Sequence, residues 1–513
     1  MRVLLIVIDG ASPRVVCPAI QTGRLPHLKR IADAGSLHQA SVTIFPSITP
    51  AATTAIATGC YPAESGIAGA SWYDPARREI AYYGDDFWVI AKEGLGAFLR
   101  EFLVRLNGDR LKAPTLFELV ERTGRTAACL NYLVYRGNVV HKVKMPWLMT
   151  MLPGVPFTET VEGPSLLCLG DFIDDCPVRS ARGADSGGVM HRFGMDDEST
   201  ARMLCELAGG GPMPDFTVAY FADNDYRSHE VGPQAALPVI NRVDRAIGAM
   251  FDAAGGADRF LGETCVLMTS DHGHCEILDD RKRAVIRLDR LLADFRQADL
   301  GRGWRDTDEI LICPNMRATQ IYLRQPGSAT IDRVARSVLA DARVDLVLWR
   351  THPRNGDDGT YVVESQRGRL EFRRGNEGSR CALDAFGTEW SWRGDDTALH
   401  IGLDGRRVES SEYPNAFERI AGALDAPNSG EVWVTAQPGC EFELPGGNAH
   451  VGGASHGSLH ALDSLCPVVI GGAGACALPT AMRSVDIAPL CMKLLGLPMR
   501  YAVGAPRSAS THA

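Results

Sequence analysis

The sequence predicts an α/β fold with a mostly parallel central sheet, helices on both faces, and an inserted β-rich subdomain. Two observations predict the sheet: short strands alternate with helices along most of the chain, and these strands are apolar throughout rather than at every second position. Continuous apolar strands are typical of parallel sheets covered on both faces. A third observation, hairpin patterns between residues 345 and 410, predicts the subdomain.

The first half of the chain supplies most of the alternating elements. VLLIVIDG at residues 3–10 is a strand ended by Asp-Gly, and LPHLKRIADAGSL is an amphipathic helix that ends at Gly35. APTLFELVERTGRTAACLNYL then predicts a helix, a turn at Gly124 and a strand. DFTVAYFADND and TCVLMTSDHG are two more strands, with the helix QAALPVINRVDRAIGAMFDAA between them.

The pattern changes after residue 344. GTYVVESQRGRLEFRRG and TEWSWRGDDTALHIGLDGRRV predict hairpins with Gly and Asp turns. Strands and a final helix return with GEVWVTAQPG, LCPVVIGG and SVDIAPLCMKLLG. We therefore divide the chain into a core of residues 1–344 and 411–505, the inserted subdomain 345–410 and a disordered tail 506–513.

Composition excludes several classes of function. The net charge of −9 argues against a binder of nucleic-acid polymers, because such proteins neutralise phosphates with Lys and Arg. We expect no membrane span, since no run of eighteen apolar residues occurs. The 14 cysteines are scattered without a C-x-x-C pair, and the N-terminus lacks a typical signal peptide, which together favour a cytoplasmic protein with reduced thiols.

Acidic residues and histidines follow several predicted strands. Ligands of open α/β sheets gather at the carboxyl ends of the strands. Each residue alone has a simpler explanation, as a turn former, a helix cap or a surface group, but carboxylates and imidazoles together suit zinc or another divalent metal. His274 and His450 are expected outside the ligand set. The candidates are Asp9, Asp225, His229, Asp271, His272 and His456.

A stretch rich in hydroxyl groups lies between Ser41 and Asp74, where no Lys, Arg, His, Asn or Gln occurs. Two interpretations fit it: a Ser/Thr-rich loop leading into a helix of small residues, or a nucleophile whose charged partners lie elsewhere. The hydroxyl residues before the first glycine are Thr43, Ser47, Thr49, Thr53, Thr54 and Thr58.

Within that stretch, PSITPAATTAIATG at residues 46–59 resembles the nucleophile segment of the nucleotide pyrophosphatase/phosphodiesterase family, in the alkaline phosphatase superfamily. In that family a Thr lies ten residues before the Gly of a Thr-Gly pair, as Thr49 and Gly59 do here. The resemblance covers roughly residues 1–290 and 430–500. The other matching motifs, in order, are VIDG at 7–10, D-x-x-x-H at 225–229, SDHG at 270–273 and SHGS at 455–458.

The resemblance implies an alkaline-phosphatase-like fold and a hydrolase of phosphoric esters with two divalent ions, zinc before manganese or iron. Thr49 would be the catalytic nucleophile and also a metal ligand, forming a phosphothreonine. One ion would be held by Asp9, Thr49, Asp271 and His272, and the other by Asp225, His229 and His456. One departure is Ala70, at the position where diesterases of the family have an Asn.

The substrate is expected to be a small phosphate ester, with a diester preferred. Monoesterases of the superfamily place a basic side chain on the extra charged oxygen, and residues 41–74 contain none. Trp72 and Tyr73 could instead form an apolar wall, and Arg136 is the predicted polar contact. The alternatives are a phosphomonoesterase or phosphonate hydrolase of the same superfamily, and a degenerate metal-binding interaction module without activity.

Overall fold

The computed structural model describes residues 1–84, 95–144, 159–174, 194–211, 213–300, 303–351, 359–378 and 380–498. The predicted tail 506–513 lies outside these residues. Two large sheets organise the described chain, one of eight strands and one of ten.

The eight-stranded sheet is mostly parallel, as predicted. Its central strand, Arg2–Ile8, is hydrogen-bonded in parallel to a neighbour on each side. Leu465–Gly472 and Ile173–Asp174 run antiparallel to their neighbours near the two edges. In spatial order the strands are Gly35–Val42, Leu465–Gly472, Thr264–Thr269, Arg2–Ile8, Phe216–Phe221, Ala127–Leu130, Leu166–Leu169 and Ile173–Asp174.

Helices cover both faces of this sheet. Successive residues of a strand point to opposite faces, so each face has its own apolar cluster. Val3, Leu5 and Val7 pack into one apolar cluster, and the residues between them pack into another. The first face holds helices Thr49–Thr58, Leu116–Glu121 and Ile487–Leu494. The second holds Pro13–Gln21, Pro26–Asp33, Asp197–Gly209, Leu237–Ala253 and Ala257–Glu263.

The ten-stranded sheet is larger than the predicted subdomain 345–410. It begins at residue 310 and includes Val432–Ala436, which the sequence pattern assigned to the core. Strands Ala318–Leu323 and Val432–Ala436 are buried along their whole length, so their sequences resemble those of core strands. In order the strands are Ile310–Asn315, Ala318–Leu323, Val432–Ala436, Val344–Arg350, Tyr361–Ser365, Gly368–Arg374, Glu389–Gly394, Arg380–Leu383, Arg407–Glu409 and Gly402–Asp404.

Short elements complete the described chain. Two-stranded ribbons pair Ser71–Asp74 with Glu79–Tyr82, Val139–Lys142 with Thr160–Gly163, Cys275–Glu276 with Ala454–Ser455, and Val285–Ile286 with Glu441–Phe442. The remaining helices are Pro62–Ser65, Leu95–Arg100, Glu101–Arg110, Asp223–Val231, Arg281–Ala284, Leu288–Leu291, Ser328–Leu339, Asp396–Leu399, Ala416–Leu424, Ala461–Ser464 and Ser484–Asp486. Among the helices described, none combines the length and apolarity that crossing a membrane requires.

Candidate metal centre

Three aspartates meet at one edge of the eight-stranded sheet. The central strand and its two parallel neighbours end side by side there. Asp9 directly follows the central strand, and Asp271 comes two residues after one neighbour. Asp225 lies in the first turn of helix Asp223–Val231, just after the other neighbour. All three are at least nine-tenths buried, so the sheet gathers three carboxylates in a poorly solvated place.

Two later contacts bring a histidine and the hydroxyl-rich stretch to the same place. Strand Ala454–Ser455 pairs with Cys275–Glu276, so His456 lies near the aspartates. The Nδ1 of His456 is 2.9 Å from the backbone carbonyl of Ser47. That contact positions Thr49, the first residue of its helix, beside the cluster.

One half of the cluster is rich in carboxylates, and we call Asp9, Thr49, Asp271 and His272 the carboxylate half-site. The Nε2 of His272 lies 3.1 Å from Thr49 Oγ1 and 3.4 Å from one oxygen each of Asp9 and Asp271. Those two oxygens, Asp9 Oδ1 and Asp271 Oδ2, are buried without a hydrogen-bond partner. Burial, followed by the nearby charges of Asp271 and Asp225, raises the pKa of Asp9 well above its usual value.

The second oxygen of each aspartate in this half-site is held by the protein. Asp271 Oδ1 accepts hydrogen bonds from the backbone N–H groups of Gly10, at 3.1 Å, and His272, at 3.0 Å. Asp9 Oδ2 accepts from the hydroxyl of Tyr220. Each carboxylate is therefore fixed by one oxygen and presents the other to the same space, as a metal site requires.

The other half of the cluster contains Asp225 and several histidines. Asp225 Oδ1 lies 2.9 Å from His274 Nε2 and 3.5 Å from His456 Nε2, and its Oδ2 lies 3.4 Å from His229 Nε2. Burial alone would raise the pKa of Asp225, but the charge of His229 lowers it well below the usual value. For His229, burial alone would lower the pKa, but the nearby Asp225 carboxylate raises it to about 9.

The histidine rings of both halves share one orientation. In each ring Nδ1 faces a backbone carbonyl, which can only accept, so the proton of the neutral ring lies on Nδ1 and the Nε2 lone pair faces the carboxylates. Metal-binding histidines are held in this way. The Nδ1 contacts are His229 to Ala454 at 2.8 Å, His272 to Gly273 at 3.1 Å, His274 to Gly10 at 2.9 Å and His456 to Ser47 at 2.9 Å.

These side chains fit divalent metal ions. The Nε2 atoms of His229, His274 and His456 are buried without a hydrogen-bond partner, as is Asp225 Oδ1. Buried polar atoms are rarely left unpaired, and imidazole nitrogens and carboxylate oxygens are the donors that zinc and similar ions prefer. His272 belongs to two groups of potential ligands: Asp225, His272, His274 and His456, and Asp9, Asp271 and His272.

The sequence predicts that His274 and His450 both lie outside the ligand set, but the structure gives the two histidines different positions. His274 is fully buried inside the cluster. His450 stacks on His229 with ring centroids 4.0 Å apart, and its Nδ1 lies 2.9 Å from Glu441 Oε1. His450 thus packs beside a candidate ligand, held by a carboxylate outside the cluster.

The hydroxyl groups that follow Thr49 have structural roles. Thr53 and Thr54 lie in helix Thr49–Thr58, as the sequence predicts. Their hydroxyls donate to backbone carbonyls one turn earlier, at 2.5 Å to Thr49 and 2.7 Å to Pro50. Thr58 donates to the Thr54 carbonyl at 2.7 Å in the same way. The Thr49 hydroxyl instead faces His272, which distinguishes it from the others.

Arg136, the predicted substrate contact, has its guanidinium bound by the protein. It donates to Glu118 Oε2 at 3.0 Å and to the backbone carbonyls of Leu111 at 2.8 Å and Ala113 at 2.5 Å. These bonds tie the helix that starts at Leu116 to the preceding loop. The geometry favours a structural role, and a substrate contact of Arg136 stays an untested prediction.

The predicted apolar wall differs from expectation at Trp72. Its indole is fully buried and stacks on Tyr83 with ring centroids 5.3 Å apart, so it offers no surface to a substrate. Tyr73 is half-buried and packs edge-on against Trp304 at 5.1 Å and Tyr322 at 5.8 Å. Trp72 is therefore a packing residue, and a substrate contact of Tyr73 stays a prediction.

Comparison with known proteins gives a family over most of the chain. The profile of the family described as type I phosphodiesterase / nucleotide pyrophosphatase matches residues 3–458. A 2,3-bisphosphoglycerate-independent phosphoglycerate mutase of Wolinella succinogenes is 32% identical over 96 residues. That match spans only 18% of this chain and 18% of the mutase.

Solved structures share the fold across nearly the whole chain. Murine ectonucleotide pyrophosphatase / phosphodiesterase 5 aligns with a TM-score of 0.58 at 13% identity, covering 98% of both chains. An inactive variant of that protein in complex with AMP aligns with the same TM-score and identity over 98% of this chain and 97% of the variant. Phosphonoacetate hydrolase from Sinorhizobium meliloti 1021, in complex with phosphonoformate, gives a TM-score of 0.54 at 17% identity, covering 96% of both.

Proposed function

Since the chain belongs to the type I phosphodiesterase / nucleotide pyrophosphatase family, whose members are hydrolases of phosphoric ester bonds, we propose that it acts through two divalent ions and a phosphothreonine at Thr49. The observation that supports this most strongly is the position of the Thr49 hydroxyl. It lies 3.1 Å from His272 Nε2, and His272 belongs to both groups of potential metal ligands. A hydroxyl there can reach a phosphorus atom held between the two halves of the cluster.

Two bound ions would lower the pKa of the attacking hydroxyl and neutralise charge on the phosphoryl oxygens. Asp9, Asp271 and His272, together with Thr49, would hold one of them. Asp225, His229 and His456 would hold the other. Zinc is our first choice because the donors mix imidazole with carboxylate, and manganese or iron are the alternatives.

Thr49 would form a covalent intermediate and then be released from it. Its hydroxyl would lose its proton to solvent and form a bond to phosphorus while the bond from phosphorus to the leaving oxygen breaks. Water would then form a bond to phosphorus, the bond from phosphorus to Thr49 Oγ1 would break, and Oγ1 would regain a proton as phosphate leaves. Thr49 is also the first residue of a ten-residue helix, so the positive end of the helix dipole would favour a phosphoryl group bound at Thr49. The helix itself carries no charged side chain that could compete with the phosphate.

For the substrate we propose a phosphodiester or a nucleotide pyrophosphate. Residues 41–74 supply no basic side chain for a monoester dianion, and the guanidinium of Arg136 is already bound elsewhere. AMP in the inactive murine variant supports the nucleotide class. A phosphonate or monoester is the second candidate, favoured by Ala70 in place of the expected Asn and by the likeness to phosphonoacetate hydrolase.

Trapping the intermediate tests this mechanism. The protein is mixed with bis-p-nitrophenyl phosphate, quenched in acid during turnover and digested, and the peptide containing Thr49 is examined by mass spectrometry. We expect a phosphoryl group on Thr49 in wild type and in the matched control Thr53→Ala, and none in Thr49→Ala. Turnover without any trapped phosphopeptide, together with full activity of Thr49→Ala, would refute the proposal. Parallel kcat/KM values for p-nitrophenyl phosphate and phosphonoacetate decide between the substrate classes.

A further inference from the structure

We infer that His274 is a further metal ligand, a third imidazole on the ion held by Asp225, His229 and His456. This inference rests on the two-metal function proposed above. It adds a residue to the site that neither the strand-end pattern nor the family motifs indicated. It is supported by the direction of the His274 ring, by its fixed position and by the unpaired atoms that it faces.

The ring of His274 presents a lone pair to Asp225. Its Nδ1 is 2.9 Å from the backbone carbonyl of Gly10, which can only accept a hydrogen bond, so Nδ1 carries the proton. Nε2 then has a free lone pair, 2.9 Å from Asp225 Oδ1. Both atoms are buried, and with the proton on Nδ1 no hydrogen bond joins them. Two lone pairs this close repel each other, and a cation that binds both removes the repulsion.

The position of the ring is constrained by a backbone hydrogen bond, by burial and by packing against Gly10. The backbone N–H of His274 donates to Ser12 Oγ at 2.9 Å, and the side chain is fully buried. Gly10 has φ +62°, and a Cβ built there would lie 2.1 Å from His274 Cε1. The ring therefore packs directly against the backbone of Gly10, which needs a glycine both for its conformation and for this contact. Such support is typical of a ligand whose direction matters.

With His274 included, the two halves hold different donor sets. The carboxylate half-site has two carboxylates, a hydroxyl and one imidazole. The group around Asp225, which we call the imidazole half-site, has one carboxylate and the three imidazoles of His229, His274 and His456. Imidazole-rich sets favour zinc, cobalt and similar ions over magnesium, calcium or manganese. The third imidazole should therefore tighten binding of a borderline metal in this half.

Cobalt titration of the apoprotein tests the role of His274. The full-length protein is stripped with a chelator and titrated with Co²⁺, following the visible d–d bands and the bound cobalt per chain by elemental analysis. Wild type should bind two ions. His274→Ala should keep one ion, bind the second about 10-fold or more weakly, and show altered bands. His450→Ala removes an imidazole that also contacts His229 and is the matched control, expected to keep both ions and the wild-type spectrum.

A second variant separates a ligand from a hydrogen-bond donor. His274→Gln places an amide N–H toward Asp225 but is a poor ligand for cobalt, so it should behave like His274→Ala. Restoration of both ions and of the spectrum by His274→Gln would overturn the inference, as would unchanged binding in His274→Ala. Both outcomes leave the proposed function intact, whereas a wild type that binds no metal would refute the function and the inference together. Circular dichroism of each apoprotein checks the fold.

Discussion

The carboxylate half-site and the imidazole half-site lie at the same sheet edge, but their electrostatics are opposite. In the first, two buried carboxylates face each other and the pKa of Asp9 is raised. In the second, histidines surround one carboxylate and the pKa of Asp225 is lowered. Without a cation, the two carboxylates of the carboxylate half-site repel each other, while the charge of Asp225 is partly neutralised by His229. The half-site with the nucleophile therefore depends more strongly on its metal for charge balance.

The largest effect is expected from the nucleophile, which only the carboxylate half-site contains. Thr49→Ala should lower turnover by about 10³-fold or more, because the attacking oxygen is removed. Thr49→Ser should keep part of the activity. The measurement is kcat/KM for bis-p-nitrophenyl phosphate at fixed metal content, with Thr53→Ala as the control that stays near wild type. A Thr49→Ala enzyme with a tenth of the wild-type rate would place the nucleophile elsewhere.

Neutralising one aspartate in each half should have opposite effects on the apoprotein. Asp271→Asn removes a repulsion from Asp9 and keeps an oxygen for the two backbone N–H groups, so it should stabilise the metal-free protein by about 1 kcal/mol. Asp225→Asn removes the partner of His229 and should destabilise it by a similar amount. Thermal unfolding with and without chelator measures both.

Both aspartate variants should nevertheless lose about 10²-fold or more in turnover, because each removes a proposed ligand. Loss of activity with unchanged metal content in either variant would argue against a ligand role for that aspartate. Equal shifts of Tm in the two apoproteins would contradict the electrostatic contrast between the halves.

Metal uptake should release a proton from His229 in the imidazole half-site, and the amount released should depend on pH. The pKa of His229 is raised to about 9, so in the apoprotein the ring carries its extra proton at pH 7 and loses it as pH rises through about 9. A metal needs the free Nε2 lone pair and must displace that proton. We expect about one proton released from this group per chain at pH 7, and fewer above pH 9. Calorimetry in two buffers of different ionisation enthalpy gives the number, and a release that does not change with pH would contradict it.

The smallest effect is expected outside both halves. Thr58 donates to the Thr54 carbonyl at 2.7 Å and accepts from the Cys60 N–H at 3.2 Å, at the end of the helix that begins with Thr49. Thr58→Ala should cost about 1 kcal/mol of stability and leave kcat/KM unchanged. Urea unfolding and the diester assay measure both, and a large kinetic effect would extend the active site to this end of the helix.

The sequence predicted the parallel sheet and its strand-end residues well, because both follow from local patterns. Asp9, Asp225 and Asp271 each come after an apolar strand, and the geometry of parallel sheets brings such positions together. The sequence did not indicate that His274 is buried in the cluster, because the local sequence does not say which side chain of Asp-His-Gly-His points inward. That direction depends on Gly10, more than 260 residues earlier in the chain.

Other features depend on contacts that a local pattern cannot show. Arg136 looks available in the sequence, but Glu118 and two backbone carbonyls bind its guanidinium. Trp72 lies in a stretch without basic residues, yet its burial follows from packing against Tyr83 and the surrounding core. The start of the second sheet at Ile310 was missed because buried antiparallel strands have the same composition as buried parallel ones.

Strand Ala454–Ser455 pairs with Cys275–Glu276, which lies far earlier in the chain. The residues of the two half-sites are therefore synthesised at different times. The four residues of the carboxylate half-site have all been synthesised once His272 is added, whereas the imidazole half-site also includes His456, whose contact with Ser47 positions Thr49. Roughly 180 residues separate His272 from His456, which a ribosome takes about 10–40 s to add at ~5–20 residues per second. The half that contains the nucleophile is thus synthesised first, and the pair becomes complete only when the C-terminal part of the chain returns to the sheet edge.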